Sequence, residues 1–197
     1  TLFPYTTLFR SPVRTNRLFW FAAFEQQRAE TPRQVLFAQL LNRTPTAATQ
    51  EALGFFRQQE QPFDQTNRAS ALTGRTDAYL SGGHRLTLRY NFSDSRERNA
   101  VSTGGALTPV TNTAVSNEGT EKDRTHMGTL QYTHLLSPHA VNDFKFSGSY
   151  EILPRVANAE TPTVTATPVG SFGARNFLPT VQDDLRYQRS EEHTSEL

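Results

Sequence analysis

The sequence predicts an all-β fold, an antiparallel meander whose strands carry one apolar and one polar face. Three observations predict it. Side chains alternate in character along several segments, most strictly from Arg85 to Phe92, and period-2 alternation is the signature of a two-faced strand. Hydrophobic residues make up only 36% of the chain while aromatics reach 11%, with 14 Phe and 6 Tyr. That balance suits strands that are greasy on one side and argues against a Leu-rich bundle or a disordered chain. Finally, the stretches between strands alternate between tight and very long.

In chain order, Arg17 to Glu25 (RLFWFAAFE) is aromatic on both faces and reads as the first strand. A long connection follows, near Gln26 to Asn67. Within it Arg33 to Leu41 and Ala47 to Gln59 place Leu, Ala and Phe at helical spacings, with Pro32, Pro45 and Pro62 as punctuation, so short helices packing over the loop are expected there. Arg68 to Leu80 alternates weakly: Leu72, Gly74, Thr76, Ala78 and Leu80 oppose Thr73, Arg75, Asp77 and Tyr79. Ser81-Gly82-Gly83-His84 is a tight turn, since a glycine pair accepts positive φ. Next, Leu86, Leu88, Tyr90 and Phe92 share one face, with Arg85, Thr87, Arg89 and Asn91 on the other. A second long connection runs near Arg96 to Asp123. Gly128, Leu130, Tyr132, His134 and Leu136 then oppose Thr129, Gln131 and Thr133, and Ser137-Pro138-His139 makes another tight turn. From Asn142 to Glu151, Phe144, Phe146, Gly148 and Tyr150 oppose Asp143, Lys145, Ser147, Ser149 and Glu151. Beyond Ile152 lies a third long stretch, in which Thr161 to Thr167 (TPTVTAT) is low in complexity and reads as a loop or a loop-edge strand.

Loops of this length are uncommon in compact soluble domains. Alternating short and long connectors along a meander are the layout of an outer-membrane β-barrel, with short periplasmic turns and long extracellular loops. The expected fold is therefore a partial transmembrane barrel of about five strands. Register follows from energy. Slipping the Arg85 strand by one residue would put Arg85 and Arg89 into lipid at about 2–4 kcal/mol each near the midplane. It would also withdraw Leu86, Leu88 and Phe92 from apolar surroundings, at roughly 1.5–3 kcal/mol per large side chain. Leu86, Leu88, Tyr90, Phe92, Phe144, Phe146 and Tyr150 are accordingly expected to face lipid. Arg75, Asp77, Arg89 and Lys145 are expected to face the lumen.

Composition excludes several function classes. Twenty basic residues balance 19 acidic ones, so no field favours nucleic acid, and the aromatic strands lack the dense basic patch of a nucleic-acid platform. There is no cysteine, hence no disulfide framework, thiol nucleophile or zinc-cysteine site. No apolar run is long enough to cross a bilayer as a helix. The Gly-x-Ser-x-Gly elbow, the phosphate-cradling loop and His-Glu-x-x-His are all missing, so no catalytic residue, cofactor or metal is expected. His126 and His134 share a face but stand roughly 26 Å apart at about 3.3 Å per residue, too far for one ion. His84 and His139 fall in turns and are expected to be solvated, as is the loop base of Glu118, Glu121, Lys122, Asp123 and Arg124, whose spacing is not that of a calcium loop. Both ends have a different character. Thr1 to Ser11 (TLFPYTTLFRS) and Arg189 to Leu197 (RSEEHTSEL) resemble in-frame translations of a sequencing-library adapter, which makes Pro12 to Gln188 the expected biological sequence, an internal fragment.

Within that segment, Pro12-Val-Arg-Thr-Asn-Arg-Leu-Phe-Trp-Phe-Ala-Ala-Phe-Glu25 resembles the barrel entry of TonB-dependent receptors, in particular the Oar-like group with a carboxypeptidase-regulatory-like domain. Leu72-Thr-Gly-Arg75-Thr-Asp77 followed by Arg85-Leu-Thr-Leu-Arg89-Tyr90-Asn-Phe92 resembles that family's next hairpin, and Leu136-Ser-Pro-His-Ala-Val-Asn142-Asp-Phe144 a later periplasmic turn. The likeness spans about Pro12 to Tyr150, by order and spacing more than by any single motif. It implies an outer-membrane receptor that imports an unidentified extracellular solute with energy delivered by TonB. Arg75, Asp77, Arg89 and Lys145 would then contact a plug domain or an ionic solute, or simply balance charge in the lumen. The family's plug and TonB-contacting box have no counterpart among these residues. The alternatives are an outer-membrane structural or adhesion barrel without active transport, and a membrane-barrel hydrolase.

Overall fold

The computed structural model describes residues 5–100 and 109–195, and side chains over 11–100 and 109–194. Its frame is one sheet of long antiparallel strands: β1 (Tyr5–Arg14), β2 (Leu18–Val35), β3 (Pro62–Tyr79), β4 (His84–Arg98), β6 (Gly119–Ser137), β7 (Ala140–Ala157) and β10 (Thr180–Ser195). They are neighbours in that order. The short β5 (Val110–Thr111) pairs in parallel with the end of β2, and β8 (Val164–Ala166) with β9 (Gly170–Phe172) forms a separate hairpin. The sheet is open among the described residues, with β1 and β10 as its edges. The meander expected from the sequence is present, and the low-complexity stretch supplies the β8 edge strand.

The tight turns lie at one end of the sheet. Gly82 and Gly83 take φ of +72° and +78°, and a Cβ on Gly83 would stand 3.1 Å from Leu135 Cβ, so the β3–β4 turn needs both conformational freedom and lack of bulk. Asn16 supplies the positive φ of the β1–β2 turn. At the other end the long connectors pack into a small cap. Val35, Phe37 and Ala114 are fully buried there, with Leu40, Phe56, Phe63, Val115, Val169 and Phe172 packed around them. Helix α1 (Gln50–Gln59) lies across this cluster, burying Leu53. Its Phe55 and Phe56 meet Phe172 edge-on, and Phe56 meets Phe37 in the same way.

Four expectations need correction. The long strands β2, β3, β4, β6 and β7 run 15–19 residues rather than about ten, because the ladder continues through segments polar on both faces, where hydropathy gives no alternation to read. Arg33 to Leu41 is not a helix. Arg33 to Val35 extend β2, with the Gln34 N–H donating to Pro109 O at 2.8 Å and Leu36 N–H to Thr111 O at 2.8 Å, and only a single 3-10 turn follows at Ala38–Leu40. Glu118 is fully buried in the cap rather than solvated. His84 opens β4 and is half-buried, its ring stacked 3.9 Å from that of His134 and its Nδ1 2.7 Å from Tyr132 Oη. The adapter-like ends form the edge strands β1 and part of β10. An open ladder edge pairs with any extended backbone, since its hydrogen bonds involve no side chain.

Candidate functional site

Register fixes the two faces, because residues directly opposite in an antiparallel ladder point the same way. One face carries four transverse apolar rows. Leu18, Ala78, Leu86, Tyr132 and Phe144 form the row nearest the tight turns, and Trp20, Thr76, Leu88, Leu130 and Phe146 the next. Ala22, Gly74, Tyr90, Gly128, Gly148 and Tyr187 follow, then Phe24, Leu72, Phe92, His126, Tyr150 and Leu185. The outermost rows are about 20 Å apart along the strands at roughly 3.4 Å per residue. All seven residues expected to face lipid lie in this belt. No helix or second sheet packs across it among the described residues, and Leu88, Tyr90, Phe146 and Tyr150 stay 39–47% exposed to the surroundings. The apolar side chains thus do not close on one another as a sandwich core would. The one dry cluster described is the cap.

The opposite face is polar and contains the site. Asp77 is its hub: the Arg75 guanidinium donates to both carboxylate oxygens at 2.7 and 2.8 Å, Arg85 Nη2 donates at 3.1 Å, and Thr87 Oγ1 donates at 2.7 Å. Three donors around one carboxylate hold two arginines of neighbouring strands in fixed positions. Beside the hub lies a cavity of about 580 Å³ lined by Phe19, Trp20, Phe21, Thr73, Arg75, Asp77, Arg89 and Asn91. Arg89 is directly opposite Arg75 and has no carboxylate within ion-pair reach among the described residues. It is exposed and bridges to a second cavity of about 160 Å³, where Lys145 sits with Gln131 and Asn91. Asp143, directly opposite Thr133, accepts from Gln131 Nε2 at 2.9 and 3.2 Å and from Thr133 Oγ1 at 3.0 Å.

Of the four residues expected in the lumen, Arg75 and Asp77 form one bonded cluster and Arg89 shares its cavity. Lys145 lies two strands from β4 and joins the group only through Arg89. Arg85 and Thr87 were missed as partners of Asp77. The Ser81–Gly83 turn sets Asp77 opposite Thr87 and Tyr79 opposite Arg85, so the pairing was readable once that turn was placed. The cavity's aromatic wall, Phe19 and Phe21, was hidden because β2 is aromatic on both faces. The arrangement offers fixed guanidinium and amide groups to a carboxylate or hydroxyl surface. Among the described residues no group of three or more metal-ligating side chains occurs.

A model of the outer membrane beta barrel domain matches residues 34–187. Neither a curated protein nor a solved structure matches the chain. Matched over most of its length, and built as a meander with an uncovered apolar belt, the chain belongs to the outer membrane β-barrel domain family and resides in the outer membrane.

Proposed function

We propose that the chain is part of a TonB-dependent receptor barrel importing an extracellular solute, with the apolar belt against lipid and the Asp77 face lining the lumen. The observation that carries this reading is the largely apolar, aromatic-walled cavity edged by the charged Arg75, Asp77 and Arg89, a surface suited to seating a plug or a solute with an ionic group. Its support is the resemblance of Pro12 to Tyr150 to that receptor group, together with strands that continue well past the residues needed to cross a bilayer. Hairpins of that height wall a deep vestibule above the membrane. No catalytic role is assigned to any residue. In this reading the adapter-like stretches 1–11 and 189–197 are foreign to the gene, and the belt supports it. Leu185 and Tyr187 keep the apolar rows, whereas Arg189 and Glu191 fall opposite Phe146 and Phe144, where charge is costly in lipid.

Recovering the uninterrupted gene tests the import reading. It predicts a plug domain and a TonB-contacting segment upstream of Pro12; an upstream region with neither refutes it. That outcome would favour a second reading, an anchoring or adhesion barrel, which the folded cap on the long connectors supports by presenting a fixed external surface.

A further inference from the structure

Beyond the fourth apolar row, the belt face changes character abruptly. After one mixed row (Gln26, Ser70, Asp94, Arg124) come Arg28, Arg68, Arg96 and Lys122, each directly opposite the next on β2, β3, β4 and β6. Four cations in transverse register are an arrangement that sheets avoid, since like charges directly opposite destabilise the pairing. Internal neutralisation is slight. Arg28 has Glu30 at 3.9 Å, and Asp94 below is taken by Arg124 at 2.7 Å. Among the described residues no carboxylate reaches within ion-pair distance of Arg68, Arg96, Lys122 or Arg98. Arg68, Arg96 and Arg98 converge on a cavity of about 260 Å³, closed by Thr66, Asn99 and Asp64, so three guanidiniums face one aspartate.

We propose that this row docks a phosphorylated lipid headgroup of the outer leaflet. Four features point to that occupant. The row lies at the long-connector end, the extracellular end of a barrel of this family. It stands four residues beyond Phe24, Leu72, Phe92 and His126 on the same face, about 14 Å along the strand at roughly 3.4 Å per residue. A strand tilted by about 40° brings that to about 10 Å above the belt edge, the level of headgroups, and long basic side chains reach back toward them. The forked guanidinium matches phosphate oxygens bidentately and is the weakly hydrated cation suited to an interface. Continuity with the belt decides between a lipid and a soluble anion, because a headgroup held here lays its acyl chains over the apolar rows below. The lumen face plays no part, so the inference is independent of the import reading.

The test uses the full chain folded in maltoside micelles doped with bis-phosphorylated lipid A or with its enzymatically dephosphorylated form, with lipid retention read by native mass spectrometry. The expected result is retention of the phosphorylated lipid at least about tenfold more strongly. Arg68→Gln/Arg96→Gln/Arg98→Gln should abolish that preference, and Arg89→Gln/Lys145→Gln, on the other face, should keep it. Trp20 fluorescence verifies that each variant folds. Inorganic phosphate should fail to displace the lipid. Equal retention of the two lipids by the unaltered chain would overturn the proposal. So would an undiminished preference in the triple variant, or full displacement by inorganic phosphate.

Discussion

Leu88→Arg is the perturbation that separates a lipid-facing belt from an ordinary wet sheet face. Leu88 lies in the second apolar row with Thr76 and Leu130 on either side, close to the middle of the belt. Neither neighbour offers a counter-charge. If the belt meets hydrocarbon, the arginine costs about 2–4 kcal/mol at this depth, and withdrawing the leucine costs roughly 1.5–3 kcal/mol more. The arginine stem keeps some of that apolar contact, so the net loss is about 3–5 kcal/mol, roughly two to three and a half powers of ten in the folded-to-unfolded ratio. If the face meets water, Leu88 is already 47% exposed and the change should stay within about 0.5 kcal/mol. The control is Ser147→Arg, at the same depth on the polar face, beside Phe146 in β7. Both variants are folded into short-chain phosphatidylcholine vesicles and unfolded in urea, with Trp20 as reporter. A large fall in the midpoint for Leu88→Arg with little change for Ser147→Arg is the predicted pair. Equal small effects would refute the lipid-facing assignment.

Other predictions follow from the same geometry. Asp77→Asn removes the charge that holds Arg75, Arg85 and Thr87 and should lower stability by about 2 kcal/mol, given that charge-assisted hydrogen bonds contribute about 1.5–3 kcal/mol and this one is partly solvated. A double-mutant cycle with Arg75→Ala should show coupling between the two residues, and strict additivity would count against the hub. Arg189→Leu together with Glu191→Leu should raise vesicle insertion by about 2 kcal/mol or more, because both side chains interrupt apolar rows; an unchanged midpoint would mean that β10 ends at the membrane before residue 189. Phe37→Ala should cost the cap about 3–5 kcal/mol, seen as rapid trypsin cleavage between residues 36 and 61 with insertion of the sheet unaffected. Gly170→Ala should loosen the same cap, since its Cβ would stand 2.2 Å from Asn112 O and 2.4 Å from Phe37 Cε1.

What the sequence disclosed follows from where the two faces of the sheet differ in polarity. Between residues 72 and 92, and between 128 and 150, one face of the sheet is apolar and the other polar, so side chains alternate, and there the faces and turns were legible. Beyond the belt both faces are polar. Arg96 to Arg98 and Glu121 to Asp123 therefore carry no apolar period, and they were read as loop although they continue β4 and β6. The cap was half legible. The helical spacing of Ala47 to Gln59 marked α1, but the apolar Val35 and Phe37 gave a false helical signal, because their burial comes from contacts with Ala114 and Phe172 that are distant in sequence. The hub at Asp77 was named without its full set of donors, since Arg85 and Thr87 become neighbours only through strand pairing. The basic row was not legible at all. Arg28, Arg68, Arg96 and Lys122 are scattered over 94 positions and meet only through the register of four strands.

The central claim is that one side of a single sheet faces hydrocarbon while the other faces water. Nitroxide labels placed one at a time at residues 84–98 of the chain in lipid vesicles test it most directly, through accessibility to oxygen and to a water-soluble nickel chelate. Oxygen accessibility should peak at Leu86, Leu88, Tyr90 and Phe92 with nickel accessibility out of phase, and the period should vanish above Asp94. A flat profile through residues 86–92, or a chain that remains a compact monomer in plain buffer, would contradict it.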